Sequence, residues 1–422
     1  MMRLCTLSTG FAFLLLSVGA AAPLQAEADP KGPYLLADAE TGEVIEHFDA
    51  VRPWYPASTT KLMTIYTVFR AVLAGEIQLD SPVVYSANAA AQPASKMGFK
   101  PGATLTLDHA LKIMMVKSAN DIAVAVAEAV GGSVPGFAER MNAAARRLGM
   151  SRSHFVNPHG LPDPGQVTTA RDMALVGRAL LVEFPQHRDF YKIHAIEIGG
   201  KVLKNFNPLL ERYPGANGMK TGFICASGYN LVASARRGER EVIVVVFGEY
   251  GGEERAEHAA ALLDQGFQTD PRFTRTGTTL ETVASGQAYT EPLDMRPFVC
   301  GEGKAQTAAD SAGPQDRGVA TANLTAADAE PVSRLGPPVY LGPPIQVSLI
   351  PAAKPPPKGQ ARPGTEGFVA RIPRSRPPQA TDPRPVEIMD AFAPLSSPSV
   401  GGAPPAKAIE FATGAPAPAP GT

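Results

Sequence analysis

The prolines of this 422-residue chain are distributed unevenly, and this sets the extent of the region that is able to fold. Residues 301–422 hold 23 of the 41 prolines and no long apolar run with helical or strand spacing. Such a segment buries too little apolar surface to offset the entropy lost on ordering. We therefore predict a folded domain at residues 27–272, a short extension at 273–300 and a disordered Pro/Ala-rich tail at 301–422.

The first 26 residues have the order of a secretory signal peptide. Arg3 precedes the apolar run "FAFLLLSVG", and small residues follow it, which is typical of a cleaved export signal. We predict a signal peptide at 1–26, cleaved after Ala22 or Ala26. Two of the three cysteines, Cys225 and Cys300, then remain in an oxidising compartment, either as a disulfide or as two buried thiols.

Charge and motif content exclude several classes of protein. The net charge is −1, which gives no basic surface for nucleic acid. His154 and His159 lie in the turn-rich stretch "HFVNPHGLPDPGQV" with no third ligand at a fixed spacing, so a solvated or structural role is expected rather than a zinc site. We predict no metal, no cofactor and no nucleic-acid partner.

Apolar periodicity predicts a layered arrangement of helices and strands. A hairpin is expected at 34–48, because two short apolar runs flank Glu40-Thr41-Gly42. Helical spacing recurs in five segments and in a closing helix, at 56–73, 106–118, 121–132, 134–150, 168–184 and 253–267. Three apolar strands at 218–227, 228–237 and 240–250 are joined by short turns. The predicted fold is α/β (α+β layered), with a five-stranded antiparallel sheet flanked by helices and an all-helical subregion.

The stretch "PASTTKLMT" places Ser58 and Lys61 on one face at the start of a helix. This pair alone is most simply a helix start with a solvated lysine. A serine hydroxyl is a weak nucleophile that needs an adjacent base. A lysine can be that base where burial or nearby cations lower its pKa.

Two further motifs favour the catalytic interpretation. Ser118-Ala119-Asn120 directly precedes a buried helix, and Lys220-Thr221-Gly222 lies on a predicted strand. The order Ser-x-x-Lys, Ser-x-Asn, Lys-Thr-Gly is the motif set of penicillin-binding proteins and class A β-lactamases. A second Ser-Ala-Asn begins at Ser86, but no buried helix follows it, so Ser118 and Asn120 are the predicted site residues.

With these motifs the chain resembles the low-molecular-mass D-alanyl-D-alanine carboxypeptidases, which are serine penicillin-binding proteins, over roughly residues 30–270. The resemblance implies a penicillin-binding-protein/β-lactamase-like fold and a site in which Ser58 forms the acyl-enzyme, Lys61 is the base and Ser118 shuttles protons. It further implies substrate binding by a second set of residues: Asn120, Lys220, Thr221, Gly222, the backbone N–H of Phe223, and Arg255.

The resemblance implies removal of the terminal D-alanine from peptidoglycan pentapeptides, inhibition by β-lactams, and a periplasmic or cell-wall location. Alternatives are a D,D-endopeptidase acting on cross-links, a β-lactamase and a non-catalytic wall-binding protein. The loop at 154–167 has no glutamate to position a hydrolytic water, which argues against a β-lactamase. The C-terminal residues have no apolar helical face, so no membrane anchor is evident. The repeated "LGPP" at 335–338 and 341–344 is either a spacer or a docking segment.

Overall fold

The computed structural model describes residues 30–269, 277–284, 288–301 and 333–351. The predicted signal peptide and most of the predicted tail lie outside these residues. The strands are β1 Tyr34–Asp38, β2 Val44–Phe48, β3 Pro82–Val84, β4 Thr104–Thr106, β5 Ala195–Ile198, β6 Lys201–Lys204, β7 Ala216–Ile224, β8 Gly228–Arg237, β9 Arg240–Glu249 and β10 Ile345–Gln346. The α-helices are α1 Lys61–Leu73, α2 Ala87–Ala90, α3 Leu107–Val116, α4 Asn120–Gly131, α5 Val134–Arg147, α6 Ala170–Val182, α7 Leu209–Arg212, α8 Gly252–Gln268 and α9 Arg296–Val299.

The main sheet has five strands in the order β2-β1-β9-β8-β7, with every neighbouring pair antiparallel. Alternate residues of a strand point to opposite faces. On β9, Val244 and Val246 therefore pack in the cluster beneath α8, and Val245 and Phe247 pack in the cluster shared with the helical region. Both faces of the sheet are covered, which explains the unbroken apolar run of this strand.

The helices form at the predicted places. Leu62, Ile65 and Phe69 of α1 are buried in the larger core cluster. Leu73 continues their spacing but is 63% exposed, because α1 ends at this residue. The Thr169 side chain accepts a hydrogen bond from the Asp172 amide and so caps α6. Among the described residues, no single helix has the length and hydropathy needed to cross a membrane.

Residues 277–301 form the extension that follows the catalytic region. Within 277–284 and 288–301 the structure has an isolated bridge from Thr279 to Glu43 and the short helix α9. Cys300 and Cys225 form a disulfide. It ties the extension to the residue that follows β7, which is the strand that carries the Lys-Thr-Gly motif.

Within the predicted disordered tail, residues 333–351 form ordered structure. This segment contains β10, which pairs in parallel with β5, and it buries Leu335 and Val347. The composition averaged over 122 residues is poor in apolar side chains, but these 19 residues are not. A short apolar segment with prolines that restrict its backbone loses less entropy on docking than the rest of such a tail would.

Candidate active site

Ser58 lies on the 3-10 turn at Ala57–Thr60 that leads directly into α1. The Asn230 side chain on β8 fixes the approach to this turn, because its Nδ2 donates to the carbonyls of Tyr55 (2.9 Å) and Pro56 (3.2 Å). Ser58 lines a cavity of about 360 Å³. The turn thus holds the hydroxyl at the wall of a space that is large enough for part of a peptide.

The Lys61 ammonium is fully buried and has three hydrogen-bond partners. Its Nζ lies 2.8 Å from Ser58 Oγ, 2.9 Å from Asn120 Oδ1 and 2.9 Å from the carbonyl oxygen of His159. Ser58 lies at the start of a helix, Asn120 at the N-terminus of α4 and His159 in a loop. The predicted serine–lysine pair is therefore in contact, and Asn120 joins it.

The three partners orient the amine for proton transfer from Ser58. A neutral lysine amine has two N–H donors and one lone pair. Asn120 Oδ1 and the His159 carbonyl only accept hydrogen bonds, so they take both donors. The lone pair then faces the Ser58 hydroxyl, which can donate to it. This set of contacts is compatible with the neutral form of Lys61, which can accept a proton.

Electrostatics in the site also favour that form. Burial lowers the pKa of Lys61 well below its ordinary value, and the nearby Lys220 charge lowers it further. Burial, followed by the charge of Arg255, lowers the pKa of Lys220 to about 7. Burial lowers the pKa of Arg255 to about 10. The cations Lys220 and Arg255 make this part of the site attractive to an anion.

Asn120 is the first residue of α4 and contacts Lys61, and Ser118 lies two residues before it. Ser118 lines the same cavity as Ser58 and has φ +59°, a strained conformation of the kind that persists where surrounding structure enforces it. Asn120 Nδ2 donates to the Pro93 carbonyl at 3.2 Å. The other Ser-Ala-Asn sequence, at residues 86–88, makes different contacts. The Ser86 side chain caps α2, and the Asn88 side chain contacts Glu128.

The Lys-Thr-Gly motif lies on β7, the edge strand of the sheet, and Thr221, Gly222 and Phe223 line the cavity. A Cβ atom on Gly222 would lie 2.9 Å from the Ser58 nitrogen and 3.0 Å from the Thr59 nitrogen. Gly222 is therefore required for the close approach of β7 to the Ser58 turn. The structure thus adds a backbone constraint at Gly222 to the substrate-binding role that the family resemblance implies.

Arg255 is in the first turn of α8 and lines the cavity. It is buried, and its Nη1 donates to the Asn230 carbonyl at 3.5 Å. Its guanidinium also lies 5.8 Å from the Tyr229 ring centroid. The cavity thus joins the nucleophile candidate Ser58 to a buried cation on a separate element.

Two contributors to the site were missed from the sequence. The backbone carbonyl of His159 accepts from Lys61, and its imidazole is buried, which lowers its pKa to about 3. Gly160 allows this loop to approach, since a Cβ there would lie 1.8 Å from the Ala57 oxygen. Ser95 lines the cavity, and its carbonyl accepts from the Asn120 amide. In the sequence, only the glycine of "NPHG" indicated that this loop approaches the site. Every residue has a backbone carbonyl, so the residue type does not show which carbonyls contribute.

The comparison with protein families identifies the chain. The family model described as D-alanyl-D-alanine carboxypeptidase matches residues 19–251. The chain belongs to the D-alanyl-D-alanine carboxypeptidase family. The family and the fold class predicted from the three motifs are therefore confirmed. Among the described residues of this family member, no group of three or more His, Cys, Asp or Glu side chains is placed to hold a metal ion.

Curated relatives and solved structures match a little over half of this carboxypeptidase-family chain. It is 34% identical over 251 residues to the D-alanyl-D-alanine carboxypeptidase DacF of Bacillus subtilis, across 58% of this chain and 64% of that relative. The structure of the carboxypeptidase DacD from Francisella tularensis is similar, with a TM-score of 0.55 and 30% identity over 58% of this chain and 72% of that chain. Penicillin-binding protein D2 of Listeria monocytogenes in its ampicillin-bound form has a TM-score of 0.50 and 28% identity over 56% of this chain and 97% of that chain.

Proposed function

We propose that the chain is a serine D-alanyl-D-alanine carboxypeptidase that removes the terminal D-alanine of peptidoglycan pentapeptides through an acyl-enzyme on Ser58. The observation that carries the proposal is the buried Lys61 amine, 2.8 Å from Ser58 Oγ and bonded to two carbonyl acceptors. A buried amine with a lowered pKa is the activating group that a serine nucleophile requires.

In the acylation step, neutral Lys61 takes the proton of the Ser58 hydroxyl as Oγ attacks the carbonyl carbon of the penultimate D-alanine. The resulting oxyanion accepts hydrogen bonds from the backbone N–H groups of Ser58 and Phe223. The bond to the leaving nitrogen breaks, and this nitrogen receives the proton from Lys61 through the Ser118 hydroxyl. The products are free D-alanine and an ester on Ser58.

Deacylation runs through the same groups in reverse. A water molecule occupies the space left by D-alanine, and Lys61 takes its proton as the oxygen attacks the ester carbonyl. The ester bond breaks, and the proton returns to Ser58 Oγ. The product is a tetrapeptide that ends in a carboxylate, and the serine and lysine regain their starting states.

The leaving D-alanine carries a carboxylate, which needs cationic and hydroxyl donors. Lys220, Thr221 and Arg255 supply these in a buried setting where charge-assisted hydrogen bonds are strong. Asn120 holds the amide of the donor peptide beside Ser58. A β-lactam presents a carboxylate and a reactive carbonyl in one small molecule, and the ampicillin-bound relative supports the proposal that such compounds acylate Ser58.

The substrate implies a location outside the cytoplasm. We assign the protein to the periplasm or cell wall, with residues 1–26 as its export signal and peptidoglycan biosynthesis as its setting. The Cys225–Cys300 disulfide supports export, because such bonds persist in oxidising compartments.

A labelling experiment tests the proposed nucleophile. The mature wild-type protein is expected to form a covalent adduct with a fluorescent penicillin, and Ser58→Ala is expected to form none. Ser86→Ala, in the other Ser-Ala-Asn sequence, is the matched control and should be labelled like wild type. Mass spectrometry of a pentapeptide digest should show the loss of one alanine. A wild-type protein that forms no adduct contradicts the proposal.

The lowered pKa of Lys220 predicts a decline in activity at alkaline pH. In the free protein this pKa is about 7, so the cation that binds the substrate carboxylate is lost as the pH rises through that value. We expect kcat/KM for the pentapeptide to fall on this side, and Lys220→Arg to move the fall to higher pH because arginine stays charged. Lys112→Arg on α3 is the control. An alkaline limb that is unchanged in Lys220→Arg would exclude Lys220 as its source.

A further inference from the structure

Residues 333–351, here called the strap, cross the domain beside the active-site cavity. They contain both copies of the Leu-Gly-Pro-Pro repeat, which no catalytic role explains. The strap begins at α8, where the Arg334 amide donates to Glu257 Oε2 at 2.9 Å. It ends near β4, where the Ile350 amide donates to the Thr104 carbonyl at 2.7 Å.

The first repeat is anchored on the wall of the cavity. The Leu335 side chain is 5% exposed and lines the cavity itself. The Gly336 amide donates to the Arg212 carbonyl (2.9 Å), and Arg212 Nε donates to the Gly336 carbonyl (2.9 Å). The Val339 amide donates to the Glu211 carbonyl (2.8 Å). Arg212 and Glu211 also line the cavity.

The second repeat is held by another residue of the cavity wall. His194 Nε2 donates to the Gly342 carbonyl at 3.1 Å, and His194 lines the cavity. Directly after this repeat, β10 pairs with β5, and the Gln346 side chain donates to Glu197 at 2.8 Å. The strap is therefore fixed on both sides of its contact with the cavity.

The part of the wall that the strap holds adjoins the proposed carboxylate site. Glu253 and Arg255 occupy the first turn of α8, and both line the cavity. Glu253 pairs with Arg212 at 3.8 Å, and Arg212 exchanges the two hydrogen bonds with the strap. The strap is thus bonded to Arg212, and Arg212 pairs with Glu253 in the same helical turn that carries Arg255, the arginine proposed to bind the leaving group's carboxylate.

We infer that the strap is a specificity element at the leaving-group end of the cavity, which favours a small leaving group and disfavours an amine that carries a second stem peptide. This inference rests on the proposed function. Carboxypeptidase and endopeptidase reactions acylate Ser58 with the same carbonyl. They differ in the amine released, which is free D-alanine in one case and the side-chain amine of a second stem peptide in the other. Leu335 and the bonded Arg212 limit the space for that second peptide.

The experiment compares two substrates in the full-length protein. In one variant, residues 333–351 are replaced by a Gly/Ser segment of equal length. The readout is kcat/KM for a D,D-cross-linked muropeptide dimer divided by kcat/KM for the pentapeptide monomer, measured by chromatography with mass detection. We expect the ratio to rise at least about tenfold, since removing a steric exclusion in a pocket changes discrimination by this order.

Two point variants provide a test that does not depend on whether the protein with the Gly/Ser segment folds stably. Leu335→Ala removes the side chain that lines the cavity and should raise the ratio in the same direction. Tyr340→Ala alters a strap residue that is 85% exposed and should leave the ratio at the wild-type value. Acylation by a fluorescent penicillin should stay within about twofold of wild type in Tyr340→Ala, because this exposed side chain does not line the cavity.

The outcomes separate this inference from the proposed function. A wild-type protein that is not acylated and cleaves neither substrate contradicts both. A wild-type protein that cleaves the pentapeptide, together with an unchanged ratio in Leu335→Ala and in the replacement, contradicts the strap inference alone. A proportional loss of both activities in those variants also overturns it, because it would mean that the strap only stabilises the domain.

Discussion

Lys61→Met is expected to lose acylation while it keeps the fold. The side chains are similar in length, but the thioether cannot take the Ser58 proton. A positioned base contributes about 10²–10⁴-fold, so the rate constant for reaction with a fluorescent penicillin should fall within that range or below detection. The Asn120 and His159 acceptors lose a donor, which costs about 1–3 kcal/mol of stability. Stopped-flow or gel-based labelling gives the rate, and thermal unfolding monitors the fold.

The control for Lys61→Met is Lys112→Met. Lys112 is on α3 and pairs with Asp108 at 2.7 Å, with part of its side chain exposed to solvent. Its replacement should leave the acylation rate within about twofold, as expected for a surface pair that contributes little. Lys61→Arg separates charge from basicity, because arginine keeps the cation but does not accept the proton. Wild-type acylation in folded Lys61→Met would rule out Lys61 as the base.

Gly222→Ala is expected to impair acylation through a steric effect on the backbone of the site. The new methyl group would lie 2.9 Å from the Ser58 nitrogen, which is closer than a carbon atom can approach without a shift. The β7 edge must move away from the Ser58 turn, or the methyl must occupy the space in front of the Ser58 amide. Loss of one oxyanion donor costs about 10²–10³-fold, and we expect the acylation rate to fall by that order.

Gly252→Ala is the matched control for this substitution. Gly252 lines the same cavity, but its nearest neighbour to an added Cβ lies at 3.7 Å, an ordinary contact distance. It should be acylated at a near wild-type rate. The unfolding temperatures of both variants show whether the sheet is intact. A folded Gly222→Ala protein with full acylation would exclude the close approach as a requirement.

The sequence was sufficient for the elements that local pattern controls. Apolar spacing located α1, α3, α4, α5 and α6 and the meander β7–β9, because each element buries a face that its own residues define. The order of the three motifs was enough to identify the family, and their structural contexts separated Ser118 from Ser86. Each of these signals is contained within a few consecutive residues, so it can be read without the tertiary fold.

Contacts made by backbone atoms could not be predicted in this way. The His159 carbonyl completes the set of acceptors around Lys61, yet any residue at that position has a carbonyl. The Ser95 carbonyl that holds Asn120 is a similar case. The packing of the 154–167 loop against the Ser58 turn brings the His159 carbonyl to the site, and it is so close that a Cβ atom on Gly160 would lie 1.8 Å from the Ala57 oxygen.

The strap shows the same division between sequence and tertiary structure. Its prolines and the composition around it predicted disorder, because a segment examined by itself has nothing against which to bury Leu335 or pair Ile345. The edge of β5 and the gap between α7 and α8 supply those partners, and they form only when residues far apart in the chain come together. The sequence by itself determined the three motifs, and with them the chemistry that we propose for Ser58 and Lys61. The tertiary structure alone decided what surrounds that chemistry, because burial and hydrogen bonding depend on neighbours that are distant in sequence.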